Sequence, residues 1–165
     1  MRAARVRAAL GSALFLVAAP GVVAGLVPWL LTGWQTGATR WPLQAIGALL
    51  LLAGAIVLLD AFVRFVVDGV VTPAPVAPTR ELVVTGLYRH VRNPMYLAVG
   101  TVIVGQALLL GRPILLLYAA AFGVVVFTFV RGYEEPTLAL QFGARYEDYR
   151  RAVPGWWPRL RPWRG

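Results

Sequence analysis

Four long apolar segments, separated by short polar or proline-rich stretches, dominate the pattern of hydrophobic and polar positions along this chain. They cover approximately residues 8–31, 43–67, 94–110 and 114–132. A helix needs about 20 apolar residues to cross the hydrocarbon core of a bilayer. Because the segments come close to that length and carry few charges, the pattern predicts an all-α fold. We expect a polytopic membrane helix bundle with about four transmembrane helices.

The first apolar segment follows three arginines near the N-terminus, an arrangement that also occurs in signal peptides. The apolar stretch is longer than that of a signal peptide, and no clear small-residue cleavage site precedes a soluble domain. We therefore expect a helix that stays in the membrane.

Two interruptions shape the rest of the pattern. The stretch 68–86 holds three prolines within six positions and cannot be helical through Pro78, so it predicts an extended connector on the solvent side. Residues 111–113, Gly-Arg-Pro, separate the third and fourth segments and predict a tight antiparallel hairpin. The expected organisation is a single domain: two N-terminal transmembrane helices in 1–67, a cytosolic connector in 68–93, and the hairpin with a C-terminal cytosolic or interfacial segment in 94–165.

Arginine accounts for the whole positive charge, because the 16 basic residues include no lysine and the net charge is +9. With four spans and the N-terminus inside, fourteen arginines fall on the inner side, and only Arg40 and Arg112 fall on the outer side. Positive residues are enriched in cytoplasmic loops. We therefore expect both termini in the cytoplasm, in a bacterial inner membrane. The arginines cluster at the ends of apolar segments, so no nucleic-acid partner is expected although such a charge would suggest one in a soluble protein.

Composition also excludes several kinds of site. The chain has no cysteine, so disulfides, thiolate nucleophiles and iron–sulfur or cysteine–zinc sites are excluded. With a single histidine, a histidine-based metal site is not expected either. We predict chemistry without a metal.

The tail carries a helical pattern of its own. Its apolar residues recur at spacings of four, four, three and four: Leu138, Phe142, Tyr146, Tyr149 and Val153. This spacing places them on one face of a helix, so we predict one amphipathic helix over 137–153 that continues through Gly143. The segment that follows mixes tryptophan with arginine, which suits the headgroup region of a membrane.

Residues 88–96, Tyr-Arg-His-Val-Arg-Asn-Pro-Met-Tyr, combine a helix start with positive charge. Asn is a favoured N-cap residue and Pro is favoured at the first helical position, so a helix is expected to begin at Asn93-Pro94. The N-terminal end of that helix would hold a carboxylate or phosphate. Three nearby side chains would add cationic donors: Arg89, His90 and Arg92.

A closed hairpin would return the chain to the same membrane face, where Glu134 and Glu135 directly precede Pro136. We expect this carboxylate pair to lie beside residues 88–96 in space. In the alternative interpretation, the arginines only orient a helix, and the glutamates are solvated or paired with Arg131. Elsewhere, one helical face carries a pair at i and i+4 that predicts a structural ion pair: Asp60 and Arg64.

Two sequence motifs resemble those of a known protein family. The segment GLYRHVRNPMYLAVG at 86–100, followed by EEPTLALQFGARYEDYRRAVPGWWP at 134–158, resembles the isoprenylcysteine carboxyl methyltransferase and phospholipid methyltransferase superfamily. The resemblance implies an integral-membrane methyltransferase that uses S-adenosylmethionine, with the cofactor at the cytosolic end of the last spans under the C-terminal segment. It implies a lipophilic acceptor reached from the bilayer, similar to an isoprenylcysteine carboxylate or a phospholipid.

The resemblance also assigns candidate residues by position. The catalytic candidates are Glu134, Glu135 and Arg89. The cofactor-binding candidates are Tyr88, Arg89, His90, Arg92, Asn93, Pro94, Tyr96, Glu134, Glu135, Tyr146 and Tyr149. Gly143 also matches the last motif. Asn93 stands where the family often has histidine, and an amide cannot carry a proton for acid–base chemistry.

Two other functions stay open at this point. Sterol-type membrane reductases share a similar C-terminal arrangement and bind NADPH, although they are usually longer. A non-catalytic lipid-binding or assembly module would keep the fold without the reaction. The pattern leaves open the acceptor, whether oxygen, nitrogen or sulfur is methylated, and the oligomeric state.

Overall fold

The computed structural model describes residues 18–69 and 82–164, with side chains undescribed from 65 to 69. All of its regular elements in these ranges are helical, which confirms the all-α prediction for the described part of the chain. The predicted start of the first span and the proline-rich centre of the connector lie outside the described residues.

Six helices follow one another within the described residues, and they are numbered in that order. They are α1 (Ala18–Thr32), α2 (Trp41–Gly69), α3 (Pro94–Leu110), α4 (Ile114–Phe129), α5 (Glu135–Phe142) and α6 (Ala144–Ala152). A short 3₁₀ turn, Gly86–Arg89, precedes α3.

Two helical stretches, Trp41–Arg64 and Ile114–Phe142, are long and apolar enough to cross a membrane. Two shorter apolar helices, α1 and α3, accompany them. Much of the apolar surface of the long stretches is exposed, as at Leu49, Leu117 and Val124. An exposed apolar face of this size is expected when the surrounding medium is lipid.

Helices α2 and α3 approach each other through a seam of glycines at positions 47, 54 and 105. A Cβ atom added at Gly105 would lie 2.7 Å from the backbone nitrogen of Leu51, and one added at Gly54 would lie 2.8 Å from a methyl group of Val102. Small residues at a helix interface allow the backbones to come close. The seam fixes the position of α3, which begins directly after Asn93.

The predicted hairpin between α3 and α4 is confirmed. Gly111 ends α3 in the left-handed conformation (φ 63°), and Pro113 stands directly before α4. Side chains of both helices share a buried cluster that includes Ile103, Ala107 and Leu115. The end of α4 therefore returns to the start of α3, as the sequence predicts.

The prediction that the fourth helix ends near Gly132 is wrong. The chain stays helical to Phe142, because the π turn Val130–Glu134 joins α4 to α5. Pro136 has no N–H and its ring crowds the carbonyl group four residues earlier, at Gly132. A wider π turn at this place accommodates the proline without ending the helix.

The same device occurs in α1, where the π turn Val22–Leu26 precedes Pro28. Two carbonyl oxygens of this turn accept hydrogen bonds from other helices. Gln106 Nε2 donates to the oxygen of Ala24 at 2.6 Å, and Tyr118 Oη donates to the oxygen of Val23 at 2.8 Å. These bonds tie α1 to the hairpin.

The prediction of one unbroken helix over 137–153 is also wrong. Gly143 has φ 54° and ψ −130°, a conformation open mainly to glycine, and it separates α5 from α6. The predicted apolar stripe nevertheless comes together. Tyr146, Tyr149 and Val153 form a buried cluster, against which Leu138 and Phe142 pack.

The described part of the connector does not lie on the solvent side as predicted. Leu82, Val83 and Val91 are buried, and Leu82 packs in the same cluster as Tyr146 and Tyr149. Burying the apolar side chains of 82–84 against the ends of the helices is favourable because it removes apolar surface from water. The described part of the connector therefore forms one wall at the end of the bundle where α3 begins.

Candidate functional site

Arg92 lies at the centre of the polar groups at this end of the bundle. Its Nη1 atom is 2.7 Å from Oε1 of Glu135 and donates to the hydroxyl of Tyr146 at 3.1 Å. Its Nε atom donates to the backbone oxygen of Val153 at 2.9 Å. The Arg92 and Glu135 side chains are only 13% and 8% exposed. Such a buried ion pair is stable only when both partners remain in place.

Glu134 has a different environment from its neighbour. Its Oε2 atom accepts a hydrogen bond from the hydroxyl of Tyr96 at 3.0 Å. Within the described residues it makes no ion pair, whereas Glu135 contacts Arg92 closely and Arg131 at 3.9 Å. The structure thus brings the carboxylate pair beside residues 88–96, as expected, and leaves one carboxylate without a cationic partner.

These groups border a pocket with a cavity volume of about 90 Å³. Seven predicted site residues line it: Tyr88, Arg92, Asn93, Glu134, Glu135, Tyr146 and Tyr149. Tyr96 contributes through its bond to Glu134, and Pro94 is a buried residue in the first turn of α3. The pocket therefore combines carboxylates, one guanidinium group and phenolic rings.

Four apolar lining residues were not among the predicted site residues: Leu82, Val83, Val130 and Leu138. The apolar pair Leu82-Val83 was a usable signal, since a solvent-side connector has no need of it. Leu138 belonged to the predicted apolar stripe, but its spacing indicates only burial and not a pocket. Val130 is one apolar residue among many in its helix.

Arg89 and His90 do not line the pocket and bind instead to residues 153–164, here called the strap. Arg89 Nε donates to the backbone oxygen of Trp163 at 2.5 Å, and the Trp163 N–H donates to the oxygen of Arg89 at 3.0 Å. His90 and Arg159 are joined in a similar way, through His90 Nδ1 and the Arg159 oxygen at 2.8 Å and through the Arg159 N–H and the His90 oxygen at 3.0 Å. Since a carbonyl oxygen only accepts, Nδ1 carries the hydrogen.

Asn93 also holds the strap. Helix α3 begins at Pro94 as predicted, but the Asn93 side chain does not cap it. Its Nδ2 atom donates instead to the oxygen of Gly155 at 3.1 Å. A Cβ atom at Gly155 would lie 3.2 Å from Arg92 Nη2, so the strap passes tightly over both side chains. The role as N-cap is corrected to that of a strap anchor.

Three tyrosines stiffen the wall opposite the glutamates. The hydroxyl of Tyr149 donates to the backbone oxygen of Tyr88 at 2.6 Å. Burial raises the pKa of Tyr88 and of Tyr149 above the ordinary value of 10.0, for Tyr149 against a lowering by Arg92. Burial raises the pKa of Tyr146 as well, also against Arg92. All three are neutral hydrogen-bonding groups at physiological pH.

The Asp60–Arg64 pair forms as predicted near the end of α2. Arg64 Nε lies 2.9 Å from Oδ2 and 3.1 Å from Oδ1 of Asp60. The Arg64 side chain covers Gly86, which has φ 51° and leaves no room for a Cβ atom. The Arg64 side chain therefore packs against the start of the 3₁₀ turn that contains Tyr88.

Comparison with known proteins adds one positive finding. The family model described as phospholipid methyltransferase matches residues 43–145, well over half of the chain. The match includes the glycine seam, the hairpin and both glutamates, and it stops before the strap. No curated protein and no solved structure matches the chain at a significant level.

Proposed function

The chain belongs to the phospholipid methyltransferase family, and from this premise we propose that it is an integral-membrane, S-adenosylmethionine-dependent methyltransferase. The acceptor in this proposal is lipophilic, similar to a phospholipid or an isoprenylcysteine carboxylate, and reaches the site from the bilayer. The family supports methyl transfer, and the two long apolar helices support a membrane setting.

The proposed topology has four spans, with both termini on the cytoplasmic side, within a single domain. The loop between α1 and α2 supports it, because the N–H of Gly37 bonds the oxygen of Leu110 at 2.7 Å and Arg112 Nε bonds the oxygen of Gln35 at 2.9 Å. Both outer connections therefore lie at one end of the bundle. The candidate site and most of the arginines lie at the other end.

The observation that carries the proposal is the pairing of unlike carboxylates in one pocket. Glu135 is neutralised by Arg92, whereas Glu134 is oriented by Tyr96 and has no cationic partner in the described part of the chain. This donor set fits S-adenosylmethionine: a carboxylate suits its ammonium and ribose hydroxyl groups, and the Arg92 guanidinium and Asn93 amide suit its carboxylate.

The pocket is smaller than a typical site for a small molecule. A site for a small molecule typically measures about 300–1,000 Å³, whereas this cavity holds about 90 Å³. The residues fit the cofactor chemically, but the strap has to move outwards to admit all of it. Arg89, His90 and Asn93 act in this proposal by holding the strap over the bound cofactor.

The proposed chemistry needs little from the protein beyond alignment and the exclusion of water. The cofactor supplies a methyl group bound to a sulfonium sulfur, which leaves as the thioether of S-adenosylhomocysteine when the acceptor attacks in line. A carboxylate or thiolate acceptor needs no base. An amine acceptor must lose a proton, and Glu134 is placed to take it because no cation of the described residues neutralises it.

A labelled-methyl transfer assay tests the proposal. The purified protein in lipid nanodiscs would receive S-adenosylmethionine carrying a labelled methyl group, together with membrane lipids, prenylcysteine analogues or small thiols. We expect label in one of the lipophilic acceptors. We also expect S-adenosylhomocysteine to raise the apparent Tm while NADPH does not. Stabilisation by NADPH would indicate a reductase, and no effect of either ligand together with no transfer would contradict an enzymatic role.

A further inference from the structure

The strap ends the described chain with an unusual surface. Its residues 153–164 include three tryptophans and three arginines and contain no acidic residue. Trp157 is 81% exposed and Leu160 is 98% exposed. Large apolar side chains exposed this close together can form a contact surface for a membrane or a partner.

The positive charges of the strap are also available for a partner. Arg159 uses its guanidinium to bind the oxygen of Ala152 at 2.6 Å. Arg161 and Arg164 are exposed, and neither makes an ion pair or a side-chain hydrogen bond within the described residues. Two cations and two apolar side chains therefore face outwards from one short segment.

One aromatic contact places the strap against a helix that is long and apolar enough to cross a membrane. The ring of Trp156 packs on Phe127 of α4, with the ring centroids 5.8 Å apart. Phe127 is 46% exposed, lies within the candidate span Ile114–Phe142 and also carries the guanidinium of Arg131 over its ring at 5.6 Å. The strap thus turns back onto the side of a membrane-crossing helix, one residue before the exposed Trp157.

From these observations we infer that the strap docks on an anionic lipid surface. Trp157 and Leu160 enter the interface between headgroups and acyl chains, while Arg161 and Arg164 bind lipid phosphates. Aromatic residues and arginines are favoured at this depth, and an anionic leaflet attracts basic residues that lie near its surface. The inference needs only a membrane-embedded bundle and does not depend on methyl transfer.

Docking has a consequence for the pocket. The strap supplies the backbone oxygens of Val153 and Gly155 that hold Arg92 and Asn93, two residues of the pocket wall. A lipid surface that binds residues 157–164 therefore also holds the strap closed. Lipid composition would control how often the pocket opens.

The absence of cysteine allows a clean test, because a single introduced cysteine is the only labelling site. The variant Leu160→Cys, labelled with an environment-sensitive nitrobenzoxadiazole dye, is placed in nanodiscs of phosphatidylcholine with or without phosphatidylglycerol. A lipid with a spin label near the headgroup serves as quencher. Asp148→Cys, at an exposed position of α6, serves as the matched control.

We expect strong quenching of the dye at position 160 in discs with phosphatidylglycerol and weaker quenching without it or in high salt. The double variant Arg161→Gln/Arg164→Gln in the Leu160→Cys background should lose the dependence on anionic lipid. The dye at position 148 should be quenched little in all discs. Equal quenching at position 160 in both lipid compositions overturns the inference. Absence of quenching in both also overturns it and would assign the exposed surface to a protein partner.

Discussion

Glu134 and Glu135 are adjacent in the chain but differ in electrostatic surroundings. Glu135 compensates the buried charge of Arg92, so its removal leaves a cation without a partner in a protein interior. Among the described residues, the Glu134 side chain is bound only by the neutral hydroxyl of Tyr96. The two carboxylates should therefore respond differently to the same substitution.

We predict that Glu135→Gln mainly destabilises the protein and that Glu134→Gln mainly lowers turnover. Breaking a buried pair costs about 3–5 kcal/mol, so the apparent Tm of Glu135→Gln should fall clearly. Loss of a general base reduces the rate about 10²–10⁴-fold, so with an amine acceptor Glu134→Gln should lose most transfer at an almost unchanged Tm. Differential scanning fluorimetry and the labelled-methyl assay measure the two effects. Full transfer by both variants would exclude the proposed site.

The contribution of Tyr149 to the stability of the protein should depend on pH. Its hydroxyl is neutral in the folded protein because burial raises its pKa above 10.0. In the unfolded chain it ionises near 10.0, so its contribution to stability is complete below that pH and declines as the pH rises further. Tyr149→Phe should cost about 1 kcal/mol at neutral pH through the lost bond to the Tyr88 oxygen.

The same variant should lose stability less steeply than the native protein above pH 10.0, the ordinary tyrosine value. The measurement is the apparent Tm in detergent over a series of alkaline buffers. Parallel curves for the two proteins would show that Tyr149 is not held neutral by its surroundings.

At the scale of elements, the glycine seam and the helix-breaking Gly143 show two different uses of one residue type. Gly105 is needed because another backbone lies where its side chain would be. Gly143 has nothing within 4 Å of a Cβ atom and is needed for its conformation. The first sets the distance between helices, and the second ends one helix and begins another.

We predict that Gly105→Ala destabilises the bundle strongly, because its methyl group would have to push α2 away from α3. Gly123→Ala is the matched control in the neighbouring helix α4, since a Cβ atom there meets nothing within 4 Å. The control should be neutral or slightly stabilising, by up to about 1 kcal/mol from helix propensity. Resistance to unfolding by sodium dodecyl sulfate compares the two. Equal stability would show that the seam is looser than its geometry indicates.

Some boundaries of the helices could be predicted from the sequence alone, and others could not. Apolar length and the Gly-Arg-Pro break were sufficient for the hairpin, and Asn93-Pro94 located the start of α3, because these features act through local chain chemistry. The π turn before Pro136 was not predictable, since a proline can end a helix or be accommodated in it. The break at Gly143 was not predicted, because the helical spacing of apolar residues continues across it. Both short helices turn their apolar side chains towards one core, so the spacing alone does not reveal the break.

At the scale of the whole molecule, the strap joins the connector, α3 and α4 into one closed end. Arg89, His90 and Arg92 were predicted as cationic donors beside the helix start at Asn93. In the structure these four residues form a clasp for the strap, and of them only Arg92 and Asn93 line the pocket. No sequence pattern predicts this clasp, because its side chains bind backbone oxygens of the strap. A backbone oxygen is present at every residue and therefore has no signature.

We predict that Arg89→Ala loosens the strap. The variant loses the bond to the Trp163 oxygen, so trypsin should cleave after Arg159 several times faster than in the native protein. Arg150→Ala is the control, because Arg150 is exposed and pairs only with Glu147 at 3.5 Å. Limited proteolysis followed by mass spectrometry gives the rates. Equal cleavage in Arg89→Ala and in the control would show that the clasp adds nothing to closure.

The clasp residues bind the strap through their side chains, whereas the strap is bound through its backbone oxygens. The two sets of residues should therefore differ in how many substitutions they tolerate. The exposed strap side chains, such as Leu160, can change without loss of its attachment, whereas Val153 and Trp163 pack in a buried cluster and bulk at Gly155 would collide with Arg92. On the other side, the bonds from Arg89, Arg92 and Asn93 to strap oxygens each depend on one particular side chain. In a saturation mutagenesis experiment scored for closure alone, positions 89, 92 and 93 should be intolerant, while the strap they hold should accept many sequences. The strap is thus free to diverge in sequence and adapt to a different membrane while the clasp stays the same.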